Sequence, residues 1–88
     1  VQQTAQNTFA VQPNPFSSQT TLAYNIKDET AEGIIKIYNA YGSEVKQVRV
    51  TGKGSIIINL DNAGLGIYYC QLYINNRLQH TEKLVLIK

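Results

Sequence analysis

The sequence predicts an all-β domain, an immunoglobulin-like antiparallel β-sandwich of about seven short strands. Three observations carry that reading. Short runs of alternating apolar and polar residues recur along the 88 residues. Turn-forming clusters separate them at the roughly 8–12-residue spacing typical of sandwiches. No stretch shows the apolar period of an α-helix. The longest β-forming run, GIYYCQLYI from Gly66 to Ile74, reads as the central strand. Its even positions, Tyr68, Cys70, Leu72 and Ile74, form an apolar row for the core, and Tyr69, Gln71 and Tyr73 form a polar-tipped row facing water.

The remaining elements follow in chain order. Val1 to Asn7 is polar and without period, and reads as a linker. Phe9 and Val11 alternate with Ala10 and Gln12 in a short first strand, which Pro13 ends because proline cannot donate to a ladder. Residues 1–12 are thus a polar linker and first short strand, and 13–88 the domain proper. Pro13-Asn14-Pro15-Phe16 is a stiff turn that projects Phe16 as a plug. Gln19 to Ile26 is a second strand with Leu22, Tyr24 and Ile26 inward, and the acidic, turn-rich stretch from Lys27 to Gly33 ends it. Ile34 to Tyr38 is a third, with Ile35 and Ile37 as its core pair.

Asn39-Ala40-Tyr41-Gly42 suits a type I turn closed by a left-handed residue, so the next strand, Ser43 to Val50, pairs antiparallel with the third. Its apolar residues change parity between Val45 and Val48. A β-bulge reconciles them, as does a strand passing from one sheet to the other. Thr51 to Gly54 is a turn, Ser55 to Leu60 a fifth strand with Ile56, Ile58 and Leu60 inward, and Asp61 to Gly66 a glycine-rich corner. Asn75-Asn76 is a two-residue hairpin turn. The last strand, Arg77 to Lys88, is apolar on both faces from Leu84 to Ile87, which suggests packing on both sides.

Composition narrows the function classes. The net charge is only +2 and the cations are scattered, so there is no footprint of nucleic-acid binding. One cysteine and one histidine build neither a disulfide nor a structural zinc site, and no cofactor motif is present. No apolar run approaches the ~20 residues that span a bilayer, and the N-terminus lacks a signal-peptide pattern. If the domain is exported, its signal peptide lies elsewhere in a longer precursor.

Four stretches taken in order, PNPFSSQTTLAYNI, IKIYNAYGSEV, LGIYYCQL and TEKLVLIK, resemble the C-terminal sorting domain of the type IX secretion system, type A. The motif residues are Pro13, Asn14, Pro15 and Phe16; Ile37, Tyr38, Gly42 and Val45; Gly66 and Tyr68; and the terminal Lys83, Leu84, Val85, Leu86, Ile87 and Lys88. Asn39 replaces a more usual Asp, Ala63 a common Leu, and Cys70 a frequent aromatic. The resemblance implies an address without chemistry of its own. It would be the last module of a cargo protein that folds in the periplasm. An outer-membrane translocon and its shuttle protein would recognise the module. A sortase-like protease would then remove it at the cell surface and join the cargo to an anionic lipopolysaccharide, leaving the cargo on the surface or secreted.

Within that reading the first ten motif residues make turns and core, and Lys83 to Lys88 is the candidate for direct contact, because an exposed apolar edge invites strand addition. An unpaired edge also allows a homodimer. Two other classes compete: a carbohydrate-binding or adhesive sandwich using an outward platform of Tyr69, Tyr73, Tyr38 and Tyr41, and a passive spacer. No catalytic residue is assigned. Cys70 reads as a small buried hydrophobe, and His80, on the same side of its strand as Glu82, has no nucleophile beside it.

Overall fold

A computed structural model of the chain describes residues 8–28, 30–60 and 64–87. The linker expected at Val1–Asn7, the positions Asp61–Ala63 of the expected corner, and Lys88 lie outside them. The strands are β1 (Thr8–Gln12), β2 (Gln19–Asn25), β3 (Gly33–Asn39), β4 (Glu44–Val50), β5 (Lys53–Asn59), β6 (Gly66–Ile74) and β7 (Arg77–Leu86). They form two sheets, ordered β1-β2-β5 and β4-β3-β6-β7, in which every pairing is antiparallel. The fourth strand stays beside the third, where the extra strand of variable-type immunoglobulin domains lies. As expected, β6 is interior, with β3 on one side and β7 on the other.

The core is built from the inward rows. Leu22 and Ile58 of one sheet meet Ile35, Ile37, Cys70, Leu72 and Leu84 of the other, and all seven are buried. Ile26 and Leu60, just beyond the ends of β2 and β5, are buried with them. Gly33 belongs to the same layer: a Cβ there would sit 2.6 Å from Ile26 Cδ1 and 3.1 Å from Val50 Cγ2, so any larger residue would require those two side chains to shift.

Two bulges bring the rows into phase. In the β3–β4 hairpin the register passes from Ile37↔Lys46 to Tyr38↔Glu44. Val45 is the extra residue and lies 42% exposed, whereas Val50 is buried. The parity change within the fourth strand is therefore a bulge and not a change of sheet. In the β6–β7 hairpin the register passes from Tyr73↔Leu78 to Leu72↔His80, leaving Gln79 extra. The cause is arithmetic. The Asn75-Asn76 turn, with φ of 51° and 68°, sets Ile74 opposite Arg77, and an unbroken ladder from there would set Lys83 on the inward face opposite Tyr68. One extra residue instead puts Leu84 opposite Tyr68 and Leu86 opposite Gly66. Leu78 is left outward and half exposed.

The last strand is not packed on both sides. Leu84 and Leu86 are buried, but Val85 is only half-buried and Ile87 is 47% exposed. Among the described residues none covers the outer face of the four-stranded sheet, and the second apolar row meets solvent.

Candidate functional site

The four motif stretches meet at one end of the sandwich. Asn39, at the end of β3, is opposite Tyr68 at the start of β6. Gly66 is opposite Leu86 at the end of β7, and Phe16 bridges to Leu86 in parallel orientation. Thr8, where β1 begins, is paired with Asn25, and Asn25 with Lys53, so the start of β1 lies at the opposite end. The molecule measures 44 × 22 × 21 Å, and this separation runs along the strands.

The central contact is between the Pro13–Phe16 segment and the last strand. The Asn14 side chain donates from Nδ2 to the Lys83 carbonyl at 2.7 Å and accepts from the Val85 N–H at 3.0 Å. Phe16 donates its N–H to the Val85 carbonyl at 2.9 Å and accepts from the Ile87 N–H at 2.7 Å. Its ring is buried in the core, the plug expected of it. Thr20, 1% exposed, donates to the Pro13 carbonyl at 2.6 Å, which fixes the segment to β2. Pro13, Asn14 and Pro15 remain exposed, and both X-Pro bonds are cis.

This arrangement corrects the expectation that the terminal stretch is an open edge. Strand addition between Lys83 and Ile87, whether by a partner or by a second copy, would have to displace bonds already made within the chain. Leu84 and Leu86 point into the core and are unavailable to any partner. Lys83 and Ile87 are exposed, and Val85 is half-buried.

The other motif residues shape the same end. Gly66 has φ of 126°, a backbone that side chains rarely adopt, and it turns the chain into β6. Two residues on, the buried Tyr68 donates its hydroxyl to the Gly64 carbonyl. A tyrosine near the start of this strand bonding back to the preceding corner, two positions before a cysteine, is the tyrosine corner of immunoglobulin-like folds. The spacing Tyr68-Tyr69-Cys70 was the sequence signal for it. At the β3–β4 turn, Gly42 N–H donates to the Asn39 carbonyl at 3.0 Å and Gly42 has φ of 88°, the expected turn. Asn39 Oδ1 also accepts from the N–H groups of Tyr41 and Ser43, each at 2.9 Å. Ile37 is buried and Tyr38 half-buried.

On the outer face beside this end, Val85 is opposite Ile67 and Lys83 opposite Tyr69. Ile67, 40% exposed, and the half-buried Val85 are an apolar pair open to solvent, and Leu65 and Ile87, just beyond the ends of their strands, are exposed as well. Next to it a concavity of about 310 Å³ is lined by Tyr38, Asn39, Ala40, Gly42, Tyr69 and Gln71. Burial first, then Tyr73 and Glu44, push the Tyr38 phenol above its ordinary value. The four platform tyrosines are not equivalent. Tyr38 and Tyr69 line the concavity. The Tyr73 ring lies under the Lys36 ammonium, 5.1 Å from its centroid, and its hydroxyl donates to Gln71 Oε1 at 2.9 Å. Tyr41 stands 94% exposed on the turn.

Cys70 is fully buried, and burial followed by the Glu82 carboxylate pushes its thiol up to about 12. That suits an inert packing residue. His80 and Glu82 share the inward side of β7, opposite Leu72 and Cys70, and the imidazole stacks on Phe9 with ring centroids 6.0 Å apart. Among the described residues no group of three or more His, Cys, Asp or Glu is placed to hold a metal.

Comparison with known proteins adds three findings. Residues 10–88 match the family described as "Secretion system C-terminal sorting domain". The crystal structure of dimeric latent PorU from Porphyromonas gingivalis has a region of the same fold, with a TM-score of 0.75 and 18% identity over 99% of this chain. This chain spans 10% of that protein's length. Nothing among curated proteins matches the sequence.

Proposed function

The chain belongs to the family of type IX secretion system C-terminal sorting domains, and on that premise we propose that it is the detachable address of a larger cargo protein. In this reading the cargo precedes the module. The folded module is taken up in the periplasm by an outer-membrane translocon and its shuttle protein. A sortase-like protease then cuts in or just before the polar lead at residues 1–7, so that the cargo remains on the surface or is released.

The observation that carries the reading is the gathering of all four motif stretches at one end of the sandwich, opposite the start of β1. A cargo joined ahead of β1 then leaves the motif end uncovered, and the folded module presents a rigid surface there. Because Leu84 and Leu86 are buried, the contact assigned to Lys83–Lys88 runs through the outward residues Lys83, Val85 and Ile87, with Ile67 beside Val85.

The test is a fluorescent reporter followed by residues 1–88, directed to the periplasm of a strain with a working type IX system and of one lacking its translocon. Translocon-dependent arrival at the surface, with the module removed, is the expected outcome. Equal periplasmic retention of a folded fusion in both strains would sink the reading. It would favour the second one, in which the concavity beside Tyr38 and Tyr69 binds a glycan by stacking on an aromatic ring. Saturable glycan binding lost on Tyr69→Ala would establish that alternative.

A further inference from the structure

The hydrogen bonds of Asn14 have a pattern that its exposure conceals. Val85 turns both its N–H and its carbonyl away from β6, toward Asn14 and Phe16. In an antiparallel ladder this alternates along the strand, so Lys83 and Ile87 face the same way. From the Lys83 carbonyl to the Ile87 N–H, the outer edge of the last strand therefore offers four groups, these two and the Val85 N–H and carbonyl between them. All four are taken, two by the Asn14 side chain and two by the Phe16 backbone.

Phe16 bonds as a residue of a parallel strand does, donating to the residue before its partner Leu86 and accepting from the one after. Two residues earlier in the same register, a strand residue would donate to the Lys83 carbonyl and accept from the Val85 N–H. Asn14 makes those two bonds with its carboxamide instead of its backbone. Asparagine carries a donor and an acceptor at the spacing of a peptide group. The side chain thus completes the ladder in place of the Asn14 backbone.

We propose that Asn14 is a positioning residue of the sorting signal, closing the edge of the terminal strand so that the export machinery reads a composite of Asn14–Phe16 and Lys83–Ile87 through its outward side chains. This rests on the sorting function proposed above. It assigns a role to one side chain and excludes edge pairing along Lys83–Ile87 as the mode of reading. The signal is then legible only in the folded module, because its halves are 71 residues apart in the chain.

The test combines amide exchange on the 88-residue chain with surface arrival of the reporter fusion. Asn14→Ala removes both bonds. Asn14→Asp keeps an acceptor for Val85 but sets a carboxylate against the Lys83 carbonyl. The Val85 amide should exchange about tenfold faster or more in Asn14→Ala, as one lost hydrogen bond of ordinary strength allows, and by a larger factor than the Leu72 amide in the centre of β6, which opens only with the whole fold and reports the change in global stability. Surface arrival should fall in the order Asn, Asp, Ala. Ile58→Val, in the core of the other sheet, serves as a destabilised variant with the clasp intact and should export as the wild type does.

Normal export of Asn14→Ala with an opened Val85 amide would overturn the proposal. So would an unchanged Val85 amide, or an equal export loss in Ile58→Val, which would reduce Asn14 to a contributor to stability. Failure of the wild-type fusion to depend on the translocon would instead sink the sorting function itself, and the signalling role with it.

Discussion

Replacing Phe16 by alanine should be among the most damaging single changes available in this domain. The side chain is 3% exposed, within the core cluster, and reaches it from the connection between β1 and β2. Losing the buried ring forfeits about 2–3 kcal/mol of transfer free energy. Each 40 Å³ of void left behind adds about 1 kcal/mol, because core cavities cost about 24 cal/mol per Å³. The segment is held at both sides, by Thr20 on Pro13 and by the backbone bonds of Phe16 to the last strand, so it cannot simply collapse inward.

A loss of about 3–5 kcal/mol follows, against a total of roughly 4–13 kcal/mol for a chain of this length. At about 4–8 °C per kcal/mol for a domain of this size, the thermal midpoint should fall by at least about 12 °C. Phe16→Leu should cost less, about 1–1.5 kcal/mol, because most of the volume is retained. Urea unfolding followed by circular dichroism measures both. A Phe16→Ala loss below about 1 kcal/mol would mean that Phe16 is not a core residue and that the turn is held by its backbone alone.

Three further outcomes are expected. The Cys70 thiol, raised from 9.0 to about 12 by burial and then by Glu82, holds its proton more tightly in the folded chain. Its contribution to stability is therefore intact below pH 9 and is lost as the pH rises toward 12, by at most about 1.4 kcal/mol per pH unit. Urea midpoints at several alkaline pH values should fall more steeply for the wild type than for Cys70→Ala, and parallel slopes would refute the assignment. Asn39 acts as an acceptor for two turn N–H groups, so Asn39→Asp should leave stability within about 0.5 kcal/mol, while Asn39→Ala should cost about 1–2 kcal/mol. Asn76, at φ 68°, should tolerate glycine but lose about 1 kcal/mol or more on substitution by alanine, which pays the left-handed penalty; thermal melts of both variants decide it.

The features that could be read from the chain are those set by local geometry. Side chains alternate with period two, so Tyr68, Cys70, Leu72 and Ile74 announce an inward row whatever they pack against. Positive φ is restricted to a few residue types, so Asn39–Gly42 and Asn75-Asn76 announce their turns. The bulge at Val45 was visible as a change of parity. The bulge at Gln79 was implied as well: a two-residue turn at Asn75-Asn76 and inward leucines at 84 and 86 cannot both hold without an extra residue in β7.

The candidate site followed a different rule. Its residues were named in the sequence, but what joins them was not. Leu84 to Ile87 looked like an open, two-sided edge because a strand's own composition does not say which neighbour takes its outward N–H and carbonyl groups. Here they are taken by Asn14 and Phe16 from the other end of the chain. Asn14, between two prolines, carried every local sign of a turn residue. Only the tertiary structure brings its carboxamide to Lys83 and Val85, because a hydrogen bond is satisfied by position in space, and periodicity along the chain carries no record of that position.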